Sequence, residues 1–135
     1  MKKIFSVMVL FFLAISCCTS KHCVYELTDT QLFFGSSGGF TNAKLEYVLN
    51  DDGKIFKVEG DSIHFIRKIS RSQLKKLNQM LDDCKFKEIQ LNSPGNMSYF
   101  MELKSSNGAN KVVWSEKTGN PVEVIYKELF NLLKN

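Results

Sequence analysis

The 135 residues contain only two prolines, two histidines and one tryptophan. With histidine this scarce, and with no HExxH, CxxC or carboxylate cluster at metal spacing, the usual patterns for holding a metal are missing. No GxSxG elbow accompanies His22 or His64, so nucleophilic serine catalysis lacks its base and its turn. GxxxxGK[ST] and GxGxxG are absent too, which removes the two common phosphate loops. No basic run is long enough for a nucleic-acid footprint. The one long apolar run, residues 4–16, is shorter than the roughly 20 residues that cross a bilayer as a helix. These absences predict a protein that is not an enzyme, needs no cofactor or metal, and binds no nucleic acid. Composition is otherwise ordinary for a globular chain, 44% hydrophobic and 24% charged.

What is present begins at the amino terminus. Lys2 and Lys3 precede an almost wholly apolar stretch from Ile4 to Ser16. A basic start followed by about 7–15 apolar residues is the pattern of a secretory signal. It ends in "LAISC", Leu13 to Cys17, which looks like a bacterial lipobox with a small residue before the cysteine. The expectation is cleavage before Cys17 and acylation of its thiol, because two or more acyl chains anchor stably where one does not. Cys18 is the poorer candidate, since it would put Cys17 at the small-residue position. The chain then divides into a signal peptide (1–16), a lipidated cysteine and tether (17–23) and one domain (24–135) held at the cell envelope. Removing Lys2 and Lys3 takes the charge from 18 basic against 14 acidic residues to 16 against 14.

Hydrophobic periodicity predicts the domain's elements. "VYELTDTQLFFG" reads as extended. Leu45, Tyr47 and Leu49 alternate with Lys44, Glu46 and Val48, Asp51-Asp52-Gly53 supplies a turn, and Ile55, Phe56 and Val58 resume the strand, which makes a hairpin. "SIHFIRKI" continues it, with Ile63, Phe65 and Ile69 expected on one face and Arg67 interrupting it. The period then changes. Ser70 with Gln73 forms a capping box, and Leu74, Leu77, Leu81 and Cys84 recur at helical spacing. Met97, Tyr99, Met101 and Leu103 alternate again, "SSNGAN" turns the chain, and "KVVW" pairs back. Asn120-Pro121 opens a last helix whose stripe is Val122, Ile125, Leu129 and Leu132. The predicted order is β-β-β-β-α-β-β-α, an α+β fold with five or six antiparallel strands and both helices on one face. "RKISRSQLKK", the densest basic stretch, reads as the solvated side of the first helix start.

Three features stay open at this level. "GSSGG" before Phe40 reads either as a plain loop between strands, with Phe40 in the core, or as a presented binding loop in which Ser36, Ser37, Gly38, Gly39 and Phe40 meet a partner. Export permits a Cys23–Cys84 disulfide; a buried free thiol at Cys84, continuing the leucine stripe, is the alternative. Trp114 is expected in the sheet core, with an exposed carbohydrate platform as its alternative.

The stretches "SSGGF" at 36–40, the leucine-spaced helix at 72–84, "PGNMSYFMEL" at 94–103 and the closing helix after "VVWSEKTGNPVE" together resemble the emfourin family. Emfourins are small α+β proteins that inhibit thermolysin-like metalloproteases. The resemblance covers most of residues 31–134; the hairpin at 43–58 and the lipoprotein signal lie outside it. It implies a protein partner, a protease, met through residues 36–40. The chain also resembles small lipoproteins of Bacteroidetes-type bacteria, which would make it an accessory envelope protein with some other ligand. An exposed Phe40 favours the binding module; a buried Phe40 beside an exposed Trp114 favours the accessory role.

Overall fold

The computed structural model describes residues 29–115 and 119–134. Six strands form one antiparallel sheet: β1 (Thr30–Gly38), β2 (Ala43–Asn50), β3 (Lys54–Glu59), β4 (Ser62–Lys68), β5 (Met97–Ser105) and β6 (Gly108–Trp114). Their spatial order is β4-β3-β2-β1-β5-β6, so β1 sits near the middle, paired to β2 on one side and β5 on the other. Helix α1 (Arg71–Asp83) follows β4, a short 3-10 turn spans Phe86–Glu88, and α2 (Pro121–Lys134) closes the chain. The α+β architecture and the order of elements are those expected from periodicity.

Both helices pack on one face of the sheet. Alternation brings Leu32, Phe34, Leu49, Ile55, Met101, Leu103, Val112 and Trp114 to that face, where they meet Leu77 and Leu81 of α1 and Ile125 and Leu129 of α2. The four predicted stripe residues of α2 are all buried. Burying a side chain of this size contributes roughly 1.5–3 kcal/mol by transfer alone, so this layer dominates the stability. Aromatic rings fill its centre. Tyr126 and Phe130 of α2 stand 4.7 Å apart, centroid to centroid, and Phe34, Tyr47, Tyr99 and Trp114 surround them. The Tyr126 hydroxyl donates to the Gly35 carbonyl at 3.1 Å, which pins α2 to the central strand. A smaller apolar cluster occupies the opposite face, built on Phe33, Val48 and Phe100 with Phe56, Val58 and Val113. The ammonium groups of Lys104 and Lys111 lie 4.5 Å and 5.2 Å from the ring centroids of Phe33 and Phe100.

The helix ends follow the local chemistry. Ser70 Oγ accepts from the Gln73 amide at 3.2 Å, and Gln73 Oε1 accepts from the Ser70 amide at 2.9 Å, closing the capping box. Asn120 Oδ1 accepts from the Val122 amide at 3.0 Å, with Pro121 in the first helical position.

One expectation about β4 is corrected. Ile63 pairs with Val58 and Phe65 with Phe56, both on the face away from the helices, whereas Arg67 pairs with Ile55 on the helix side. Ile66 is the extra residue of a β-bulge at this point. A bulge shifts the alternation by one residue, so Ile69 turns into the main core while Phe65 remains 58% exposed. His64, half a turn of the strand away, is exposed.

Candidate functional site

"GSSGG" is not a loop. Gly35 to Gly38 continue β1, and Ser36 and Ser37 sit half-buried between β2 and β5. The turn comes later, at Gly39–Asn42, where Asn42 N–H donates to the Gly39 carbonyl at 3.1 Å and Asn42 itself has φ +49. Phe40 stands at its tip and is 107% exposed relative to an isolated residue, so no neighbour among the described residues shields its ring. Trp114 lies at the other extreme, 4% exposed in the core. Of the five residues Ser36, Ser37, Gly38, Gly39 and Phe40, only Phe40 projects fully.

The glycines serve the chain's own packing. Gly38 has φ +104, and a Cβ built there would lie 2.3 Å from the Asn96 carbonyl oxygen. That oxygen accepts from the Gly39 amide at 2.7 Å. The turn is thus fastened to the strand entry at Asn96-Met97, itself tied down by reciprocal hydrogen bonds between Gly95 and Ser98. Met97 lies against this turn, its Cε 3.2 Å from a Cβ position at Gly39, and is 41% exposed. The result is an apolar tip made of Phe40 and Met97, with Thr41, Asn42 and Asn96 exposed around it. Such a tip offers no proton acceptor or nucleophile with a shifted pKa. What it can do is fill an apolar pocket on another molecule.

Sequence reasoning placed Phe40 in this region but left Met97 and Asn96 out of it. Their proximity depends on β1 pairing with β5 in the register Gly38↔Met97. The 94–97 turn carries no local mark of that pairing.

The remaining candidate residues are dispersed. Cys17, the expected acylation site, and Cys23 lie outside the described residues. Cys84, at the end of α1, carries a free thiol that donates to the Leu81 carbonyl at 3.3 Å. Burial pushes this thiol above its ordinary pKa, with Asp82 and Asp83 adding to the effect, so it is a poor nucleophile. It borders an open apolar groove of about 380 Å³ between the helices, with Met80, Asp83, Pro121, Val124 and Ile125. Among the described residues no group of three or more His, Cys, Asp or Glu side chains could hold a metal ion, and no helix is long and apolar enough to cross a membrane.

The chain matches no protein-family model, and no curated protein matches it.

Proposed function

We propose that this chain is a bacterial envelope lipoprotein, anchored through acylated Cys17, whose domain is a non-enzymatic binding module inhibiting a thermolysin-like metalloprotease. The observation that carries the reading is the contrast between Phe40 and Trp114. Phe40, which the sequence left open between the core and a partner surface, is fully exposed, and Trp114, expected in the core, is buried. Thermolysin-like clefts accept bulky apolar side chains, and large aromatics are common anchors of interfaces. The turn bearing Phe40 is braced by the Gly39–Asn96 hydrogen bond, so little conformational freedom is lost when it docks, which favours affinity. The emfourin resemblance over residues 31–134 points to the same partner class.

The test is inhibition. Full-length protein in detergent micelles is titrated into a panel of thermolysin-like proteases with a peptide substrate. The reading expects stoichiometric loss of activity with at least one member. No inhibition across the panel leaves the protein an accessory lipoprotein with a different ligand.

A further inference from the structure

The stretch Arg67-Lys68-Ile69-Ser70-Arg71 lies at one particular end of the sheet. Lys68 pairs with Lys54, and the Ile69 amide donates to the Gly53 carbonyl at 2.9 Å, beside the β2–β3 turn. Asn50, which opens that turn, pairs with Gln31, the second residue of β1. The basic stretch therefore flanks the end at which the chain enters the sheet from Cys17. Strands about 4.8 Å apart put β4 roughly 14 Å from β1 across that end. From Cys17 to Thr30 the chain advances 13 residues, a reach of at most about 45 Å. Phe40 sits at the opposite end, past the nine residues of β1, roughly 27 Å along the strand.

Charge is distributed unevenly between the two ends. At the entry end stand Lys54, Arg67, Lys68, Arg71 and Lys104 against Asp29, Asp51, Asp52 and Glu102, the last paired with Lys104 at 3.6 Å. Asp52 is held by Lys54 at 2.7 Å and also feels the charge of Lys68; Arg67, Lys68 and Arg71 form no direct ion pair among the described residues. Arg67 is half-buried, and its Nε, enclosed by the protein, has no hydrogen-bond partner among the described residues. Toward the Phe40 end the charges cancel locally, Lys44 with Glu46 and Lys57 with Glu59.

We infer that the entry end of the sheet, through Arg67, Lys68 and Arg71, rests on the anionic phospholipid headgroups of the membrane that holds the anchor. The inference rests on the Cys17 anchor proposed above and adds an orientation to it. Basic residues close to an anionic surface are attracted within about a Debye length, and an anchor some 13 residues away lets them approach that closely. The domain then stands with β1 pointing away from the bilayer, and the Phe40–Met97 tip faces soluble proteins of the compartment.

The test uses the full-length acylated protein reconstituted in vesicles of phosphatidylcholine alone or of phosphatidylcholine with phosphatidylglycerol. Flotation reports anchoring, and hydrogen exchange read by mass spectrometry reports contact. The expected result is flotation with both vesicles, and several-fold slower exchange over 51–54 and 66–71 with phosphatidylglycerol only. That slowing disappears in the Lys68→Glu, Arg71→Glu double variant and in high salt, while residues 39–42 are unaffected. Equal exchange in both vesicles, slowing at 39–42 instead, or the same slowing produced by inorganic phosphate without anionic lipid overturns the orientation and leaves the anchor standing. Failure to float with either vesicle overturns the anchor and the orientation with it.

Discussion

Replacing Gly38 with Ala asks the native backbone to accept a methyl group where it has no room. The first cost is conformational. At φ +104 an L-residue is strained by about 1–3 kcal/mol. The second is steric, since the new Cβ would begin 2.3 Å from the Asn96 carbonyl oxygen. Ordinary contact requires that oxygen to retreat by about 1 Å. It is also the acceptor for the Gly39 amide at 2.7 Å, and losing that bond removes about 0.5–1.5 kcal/mol more. The sum is about 3 kcal/mol, which lowers Tm by roughly 12–24 °C for a domain of about 100 residues. Gly39→Ala is the internal control. Its φ of +76 also carries strain, but its Cβ meets only the flexible end of Met97 at 3.2 Å, so its cost is about 1–2 kcal/mol. Urea denaturation of both variants, followed by far-UV circular dichroism, makes the comparison. If Gly38→Ala is no more destabilising than Gly39→Ala, the close approach to Asn96 is not what the glycine is for.

Other substitutions test the packing around this frame. Ser70→Ala removes the side-chain half of the capping box, the Oγ that accepts from the Gln73 amide, and leaves the Ser70 backbone N–H to Gln73 Oε1; it should cost about 1 kcal/mol, and an unchanged urea midpoint would mean that α1 is held by its tertiary contacts alone. Tyr126→Phe should cost about 1 kcal/mol at neutral pH by deleting the hydroxyl bond to Gly35. Burial, with Tyr99 nearby, raises the Tyr126 pKa in the folded protein above its ordinary 10.0. The unfolded chain therefore releases this proton first, and the stability Tyr126 provides is complete below about pH 10 and declines as pH rises beyond it. The difference in urea midpoint between wild type and Tyr126→Phe should accordingly shrink between pH 9 and pH 11. A difference that stays constant or grows would contradict the assigned environment.

The fold was legible because its signals are local. Capping by Ser70 and Asn120, the stripe from Val122 to Leu132 and the alternation of Tyr99, Met101 and Leu103 each need only a few neighbouring residues to interpret. The bulge at Ile66 was not legible, since nothing in "HFIRK" marks where pairing slips by one, and the slip sent Ile69 and Phe65 to opposite faces. The candidate site was half legible. Phe40 following two glycines drew attention to what is an exposed turn, but "GSSGG" reads as a loop while its first four residues belong to a central strand. Serine and glycine are poor strand formers by propensity. Here pairing on both sides, with β2 and β5, overrides propensity. The bracing contact at Asn96 and the apolar neighbour Met97 come from a strand nearly sixty residues later, and that register is a property of the whole sheet.

The central claim is that Phe40 is an anchor for a partner and not a support for the fold. The direct measurement pairs Tm with the dissociation constant for an inhibited metalloprotease, for wild type and Phe40→Ala, with a zinc-chelating active-site ligand as competitor. Because the ring is fully exposed, the substitution should change stability by no more than about 0.5 kcal/mol. An aromatic anchor contributes about 2 kcal/mol or more to binding, so affinity should fall by about 30-fold or more, and the active-site ligand should displace the wild-type protein. Equal affinity for wild type and Phe40→Ala, or binding indifferent to the active-site ligand, would contradict the account.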